Sequence, residues 1–350
     1  MRTSLVSRPW AGLDIGSYSV KLFALQPGMS RVRVLAAEVA YAGAAANDAE
    51  ASPDTVTRTI AACAERAGLP LRSLRGVTVG ISGADVIVKQ IQLPLMDEPE
   101  VGAALRFEAR KHLPFDPQAM VIDFQVLGRH ASEHRLEVLL AAVSRDHLER
   151  HLAPLARLDV QADIVDAAPL ALTNAVGHAG SADRGVRFLL DIGHVASHLT
   201  LYQRGEPYFS RRLDFGGRHL TRAIATQMQA PFEDAERWKL AAGSSDPGLR
   251  VDWTGPELRA VHEVLERDLV DEVRRSLAFY RTLGHLPDPL RLLISGGTAR
   301  LPGIAERLGS LLEFPVSVLN PFDGLGGATR ARVEGGPQFA QAVGLALRNA

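Results

Sequence analysis

Leu13-Asp14-Ile15-Gly16-Ser17-Tyr18-Ser19-Val20-Lys21 and Leu190-Asp191-Ile192-Gly193-His194-Val195-Ala196-Ser197-His198 are the two stretches on which the fold turns. Laid over each other they agree at Leu, Asp, Ile and Gly, and the same offset carries Leu22 onto Leu199 and Gln26 onto Gln203. Each begins as an apolar strand, passes a D-I-G turn and continues as a second strand, so the chain reads as a duplicated architecture. A length of 350 residues suits two such halves.

Around the first hairpin, Trp10 to Ile15, Ser19 to Leu25 and Val32 to Val39 read as an antiparallel meander. Asp54 is expected to cap a helix whose apolar positions Val56, Ile60, Cys63 and Ala67 recur every three to four residues, and Gly68 to end it. Gly76 to Ile81 returns as a buried strand. From Val86 the pattern changes to strand, helix (Glu98 to His112), strand, strand, helix (Arg145 to Arg157), an inserted α+β block. The second meander starts near Val186. Gly216-Gly217 then opens a helix with Leu220, Ile224 and Met228 on one stripe. A helical excursion follows: Phe232 to Leu240, then a long helix begun by the capping box Thr254-x-x-Glu257 with Leu258, Val261, Leu265, Leu269, Val273, Leu277 and Tyr280 on its apolar stripe. Strand Leu290 to Ser295, the turn Gly296-Gly297, a helix, a short strand and a closing helix Phe339 to Leu347 complete the chain.

Lys and Arg number 39 against 40 Asp and Glu, both signs interspersed, which gives no concentrated basic surface for nucleic acid. The single cysteine, Cys63, can form neither an internal disulfide nor a multi-cysteine zinc site, and reads as a small core residue. No stretch has the apolar length of a signal peptide or membrane span, so a cytoplasmic protein is expected.

A lone D-x-G would merely shape a β-turn. Two matched copies facing across a cleft can instead clamp a polyphosphate from both sides. Gly16 and Gly193 then let backbone approach phosphate, Ser17 and Ser19 supply hydroxyls and Lys21 a cation. Carboxylates do not bind phosphate directly, so Asp14 and Asp191 would act through magnesium and its waters. In Ser295-Gly296-Gly297-Thr298-Ala299-Arg300-Leu301-Pro302-Gly303, the glycines offer bare backbone to a flat base or ribose.

These three segments, in this order, resemble the phosphate-one, phosphate-two and adenosine motifs of the actin, sugar-kinase and chaperone ATPase superfamily. The resemblance implies an α/β actin-like ATPase fold of two RNase H-like domains. The first would span 1–85 with a closing helix near 166–180, the insertion 86–165, and the second 186–350 with a helical subdomain about 231–285. Glu236 and Lys239, in Ala235-Glu236-Arg237-Trp238-Lys239, resemble the A-E-x-x-K helix of the bacterial actins, which implies contact with the nucleoside. Read without that resemblance they are an i, i+3 ion pair on an exposed helix face. His198 falls where actin has a histidine near the attacking water; its plainer reading is a strand residue packing inward.

The insertion resembles that of the FtsA and PilM branch. Gln92-Leu93-Pro94-Leu95, then Leu105-Arg106-Phe107-Glu108-Ala109-Arg110-Lys111-His112-Leu113-Pro114-Phe115, and Asp166-Ala167-Ala168-Pro169-Leu170-Ala171-Leu172, resemble the PilM family in particular. That resemblance implies a cytosolic component of type IV pilus assembly, binding ATP or ADP with Mg2+ and turning it over slowly at most. It also implies a PilN-like membrane protein, whose cytoplasmic N-terminal tail lies in a groove near the insertion, recruitment to the inner membrane, contact with other pilus components, and weak self-association. Leu95, Leu105, Phe107 and Phe115 are the apolar candidates for the groove, some of which must be the insertion's own core. His194 departs from the family's small residue after D-I-G, and either crowds the second hairpin or adds a donor. The alternatives are a nucleotide-free scaffold of a secretion or pilus system and an FtsA-like division protein; a small-molecule kinase would need a sugar pocket for which no motif is visible.

Overall fold

Why the two D-I-G stretches end up alike is plain from strand pairing. The computed structural model describes residues 9–28, 32–42, 51–74, 76–113, 116–178, 187–203, 206–242, 258–282, 291–325 and 336–349. In the first half β1 (Trp10–Ile15), β2 (Ser19–Gln26) and β3 (Arg33–Tyr41) form the expected meander, and β4 (Val77–Ile81) and β8 (Ile164–Ala167) add in parallel, giving the order β3-β2-β1-β4-β8. In the second half β9 (Arg187–Ile192), β10 (Ser197–Gln203), β11 (Glu206–Leu213), β12 (Leu292–Ser295) and β13 (Val316–Val318) repeat it as β11-β10-β9-β12-β13. Equivalent residues pair equivalently: Leu13 faces Leu22 and Leu190 faces Leu199. In both halves the strand before the turn lies at the centre of its sheet and is buried on both faces along most of its length, which is why its sequence is a near-continuous apolar run.

The first helix, α1 (Pro53–Ala67), is capped by Ser52 and not by Asp54: the Ser52 hydroxyl accepts from the Thr55 amide at 3.2 Å and Pro53 takes the first helical position. Asp54 sits in the first turn and its carboxylate pairs with Arg157. Gly68 ends the helix in the left-handed region, as expected.

The insertion is a separate antiparallel sheet of β5 (Ile87–Pro94), β6 (Met120–His130) and β7 (Arg135–Ser144), ordered β5-β7-β6 and covered by α2 (Glu98–His112). The helix that follows, α3 (Arg145–Ala156), puts Leu155 into the cluster of Ala11, Ile60 and Val79 on the first sheet. Beyond β8, α4 (Ala168–His178) carries the buried Ala171 and Leu172.

In the second half α5 (Gly217–Met228) buries Leu220 and Ile224, but Met228, at the last turn, is 49% exposed. Helix α6 (Phe232–Ala242) follows. The capping box Thr254 to Glu257 lies outside the described residues. The helix after it runs as α7 (Arg259–Val264), a π-helical segment (Leu265–Val270) and α8 (Asp271–Thr282), and every member of the stripe from Leu258 to Tyr280 is buried. The π segment adds a residue to the turn and re-phases the stripe.

After α9 (Ile304–Leu312), the closing helix α10 (Ala340–Ala346) leaves the second half. It packs on β1 and α4 of the first. The approach is so close that a Cβ on Gly12 would stand 2.0 Å from the Ala342 carbonyl oxygen. The two like sheets are thus tied together by a helix that crosses between the halves.

Candidate functional site

The two D-I-G turns face one cleft of about 950 Å³. Both turns close in the same way: the Gly16 amide donates to the Ser19 carbonyl and the Gly193 amide to the Ala196 carbonyl, each at 3.1 Å. A Cβ on Gly193 would lie 2.7 Å from that Ala196 oxygen, so the tightness of the turn itself demands glycine. Ser17 is exposed at the first turn and Ser19 buried behind it.

The two aspartates are buried and differently held. Asp14 is paired with Lys21, its cross-strand partner, at 3.0 Å. Asp191 accepts from Ser295 Oγ on one oxygen and from Gln341 Nε2 on the other, both at 2.7 Å. Burial raises the Asp191 pKa; the Ser295 hydrogen bond opposes this and the nearby Asp14 charge adds to it. Gln341 lies on α10, so this carboxylate of the second half is bonded to a helix packed on the first.

Gly216-Gly217 bring the start of α5 against the second turn: the Gly217 amide donates to the Gly193 carbonyl at 2.8 Å. Behind it Glu236 and Lys239 are 4% and 7% exposed and pair at 2.7 Å, which overturns the reading of a solvated surface pair. Lys239 also donates to the Gly217 carbonyl at 2.9 Å and to Thr221 Oγ1 at 2.7 Å, so all three ammonium hydrogens have acceptors. Glu236 also accepts from the Thr221 hydroxyl. Burial lowers the Lys239 pKa, with Glu236 opposing.

The third segment lies beside the second turn, on the neighbouring strand of the same sheet. Gly296 takes φ +89, and Thr298 Oγ1 donates to the Gly193 carbonyl at 3.4 Å. In front of Gly297 the space is open: a Cβ there would meet nothing within 4 Å. A flat group can lie against that backbone.

His194 and His198 both line the cleft. Burial pushes each down to about 4, assisted by the Lys239 charge at His194 and by Arg212 at His198, so both rings are neutral at ordinary pH. His198 is largely buried in its strand, as inward packing predicts, and also lines the cleft. His194 crowds its turn by stacking on Tyr18, with ring centroids 4.7 Å apart and planes 19° from parallel.

The groove candidates separate. Leu105 is buried in the insertion's own core, Leu95 is 39% exposed, Phe107 is 79% exposed on α2, and Phe115 lies outside the described residues. Sequence reasoning passed over Tyr18, Ser295, Thr221 and Gln341. Ser295 stood inside a quoted motif that had been read for its glycines; Gln341 gave no signal, because the contact joins residues 150 apart.

The residues present fit a nucleotide. Two hairpin turns, a lysine and an open glycine wall converge on one space, with two carboxylates close enough to influence each other's charge. Among the described residues no group of three or more His, Cys, Asp or Glu side chains could hold a metal directly. Asp14 and Asp191 suit instead a cation that keeps most of its waters.

A duplicated sheet order, paired D-I-G turns and a shared cleft define an actin-like ATPase fold. The solved PilM-PilN type IV pilus biogenesis complex superposes with a TM-score of 0.80 at 27% identity, covering 97% of this chain and 98% of that one. The ethanolamine utilization protein EutJ from Carboxydothermus hydrogenoformans, at 16% identity, a TM-score of 0.55 and coverage of 97% and 89%, shares the fold. The cell division protein FtsA of Streptococcus pneumoniae serotype 2 (strain D39) is 26% identical over 338 residues, 85% of this chain and 72% of its own length. FtsA of Bacillus subtilis (strain 168) is 26% identical over 205 residues, 53% of this chain and 46% of its own. A family model described as "Type IV pilus assembly protein PilM" matches residues 12–350, and the chain belongs to that family.

Proposed function

We propose that the protein is a cytoplasmic ATP-binding scaffold of type IV pilus assembly whose nucleotide state sets the closure of its two halves. The observation that carries this reading is the convergence of both D-I-G turns, the Gly296 to Thr298 segment and the buried Glu236–Lys239 pair on one cleft. Lys21, Ser17 and Ser19 with the two turns would hold the phosphates, and Gly216, Gly217, Gly296, Gly297 and Thr298 the nucleoside. Glu236 and Lys239 would reach it by exchanging one of their internal bonds. Asp14 and Asp191 would orient a hydrated magnesium ion, which supplies charge neutralisation to the phosphates when bound. His198 is neutral, the form a general base needs, but a pKa near 4 makes it a weak one, so turnover would be slow. Closure would pass through Asp191 and Gln341 to α10.

The relative solved as a PilM-PilN complex supports a PilN-like partner. Of the groove candidates, Phe107 and Leu95 are the ones left exposed, and they would meet that partner's N-terminal tail. Among the described residues no helix is long and apolar enough to cross a membrane, and such a partner would hold the protein at the inner face of the inner membrane. The FtsA relatives keep a division role as the rival reading.

Titration of a fluorescent ATP analogue with magnesium tests the nucleotide half. Saturable binding that weakens by an order of magnitude or more in Asp191→Asn is the expected result; no saturation in either chain leaves a nucleotide-free pilus scaffold. Fluorescence polarisation with a synthetic PilN-like N-terminal peptide tests the other half, and Phe107→Ala should weaken it several-fold.

A further inference from the structure

Tyr18 and His194 stand one on each hairpin turn, and their stack is a contact between the two halves across the cleft. The rings lie nearly parallel at van der Waals separation, so nothing fits between them. A polyphosphate clamped between these turns would need that room. The Tyr18 hydroxyl is also engaged, hydrogen-bonding the Glu236 side chain. A second ring, Tyr41, supports Tyr18 from behind with centroids 5.4 Å apart.

We propose that Tyr18 and His194 form an internal gate, in which the stacked rings bridge the phosphate turns and the Tyr18 hydroxyl occupies Glu236, so that nucleotide binds only by parting them. The inference rests on the nucleotide reading above and adds which residues set the affinity. The gate closes the cleft without ligand through a contact that ligand must replace. It is also local, since neither ring is needed to close its own turn: the Gly16 and Gly193 hydrogen bonds do that. Nucleotide affinity is therefore reduced by the fraction of molecules with the gate open. An aromatic stack with one buried hydrogen bond corresponds to a reduction on the order of ten-fold.

The test uses the whole chain and three variants, Tyr18→Ser, His194→Ser and Tyr18→Phe, each checked for folding by its melting transition. Fluorescent ATP analogue with magnesium gives the affinity, and hydrogen exchange without nucleotide gives the protection of residues 15–19 and 193–197. Tyr18→Ser should bind about ten-fold more tightly and His194→Ser, which leaves the hydroxyl bond in place, a few-fold more tightly; both should lose protection at the turn residues other than Gly16 and Gly193, whose own turn bonds remain. Tyr18→Phe, keeping the stack and losing the hydroxyl, should retain protection and gain less affinity. Wild-type affinity or weaker in the two serine variants overturns the gate while leaving the nucleotide reading intact. If protection falls in the variants and no chain binds the analogue, the nucleotide reading fails and the gate with it, the stack being then a plain contact between halves. Should Tyr18→Ser not fold, His194→Ser carries the same two readouts.

Discussion

Asp191 has both carboxylate oxygens engaged while buried. Asp191→Ala would leave the Ser295 hydroxyl and the Gln341 amide as buried donors without that acceptor, and should cost about 2–4 kcal/mol of stability in a urea titration. Asp191→Asn keeps the shape and should cost about 1 kcal/mol, which is why it is the variant for ligand binding. Equal losses for the two would mean that water satisfies the stranded donors. The Glu236–Lys239 pair obeys a related rule. Lys239→Met strands a buried carboxylate and should destabilise by about 3 kcal/mol, whereas Lys239→Met with Glu236→Met should recover most of it. An additive double variant would count against the pair acting as a unit. Asp14, Gly16, Asp191 and Gly193 were legible in the sequence because D-I-G occurs twice at matched positions, whereas Glu236 and Lys239 stood out only through the resemblance to the A-E-x-x-K helix. Tyr18 and Gln341 were not, since what makes each matter is a neighbour from the other half of the chain.

Strands were the most readable elements: a buried central strand must carry an unbroken apolar run, and the D-I-G turns mark its end. Helix starts were less so. Asp54 and Ser52 are both good capping residues, and only the position of Pro53 at the first helical residue decides between them. The π-helical segment left no mark, because an added residue within an apolar stripe shifts its phase by an amount that ordinary three-to-four spacing already absorbs. The closing helix was read correctly as a helix, but periodicity does not say which half it packs against. Gly12 carries that information once the structure is known. Gly12→Ala would drive a methyl into the α10 backbone, and pushing the helix away should cost about 2–3 kcal/mol or more. Since α10 carries Gln341, the same variant should weaken ATP-analogue binding. A Gly12→Ala protein with unchanged melting and unchanged binding would remove α10 from the account of coupling.

Taken together, the two halves enclose neutral histidines at their shared cleft, and this makes the stability of the entire protein depend on pH in a stated direction. His194 and His198 fall from about 6.5 in the unfolded chain to about 4 in the folded one, mainly through burial. Between these values the unfolded chain binds more protons, so stability rises with pH there. The contribution is fully present above about pH 6.5 and is lost as pH falls toward 4. Each pKa unit is worth about 1.4 kcal/mol, and after discounting for cleft water the two histidines together contribute on the order of 3 kcal/mol. His112, His219 and His262, also lowered chiefly by burial, act with the same sign. Asp166 and Asp191, raised by burial, act with the opposite sign, because the folded protein holds their protons more tightly. Comparison of variants isolates the cleft: His198→Gln cannot charge, so the stability it loses between pH 7 and pH 4.5 should be smaller than the wild-type loss by about 1–2 kcal/mol. Parallel wild-type and His198→Gln curves across that window would show that His198 takes up its proton in the folded protein without cost, and that the cleft is wetter than its packing implies.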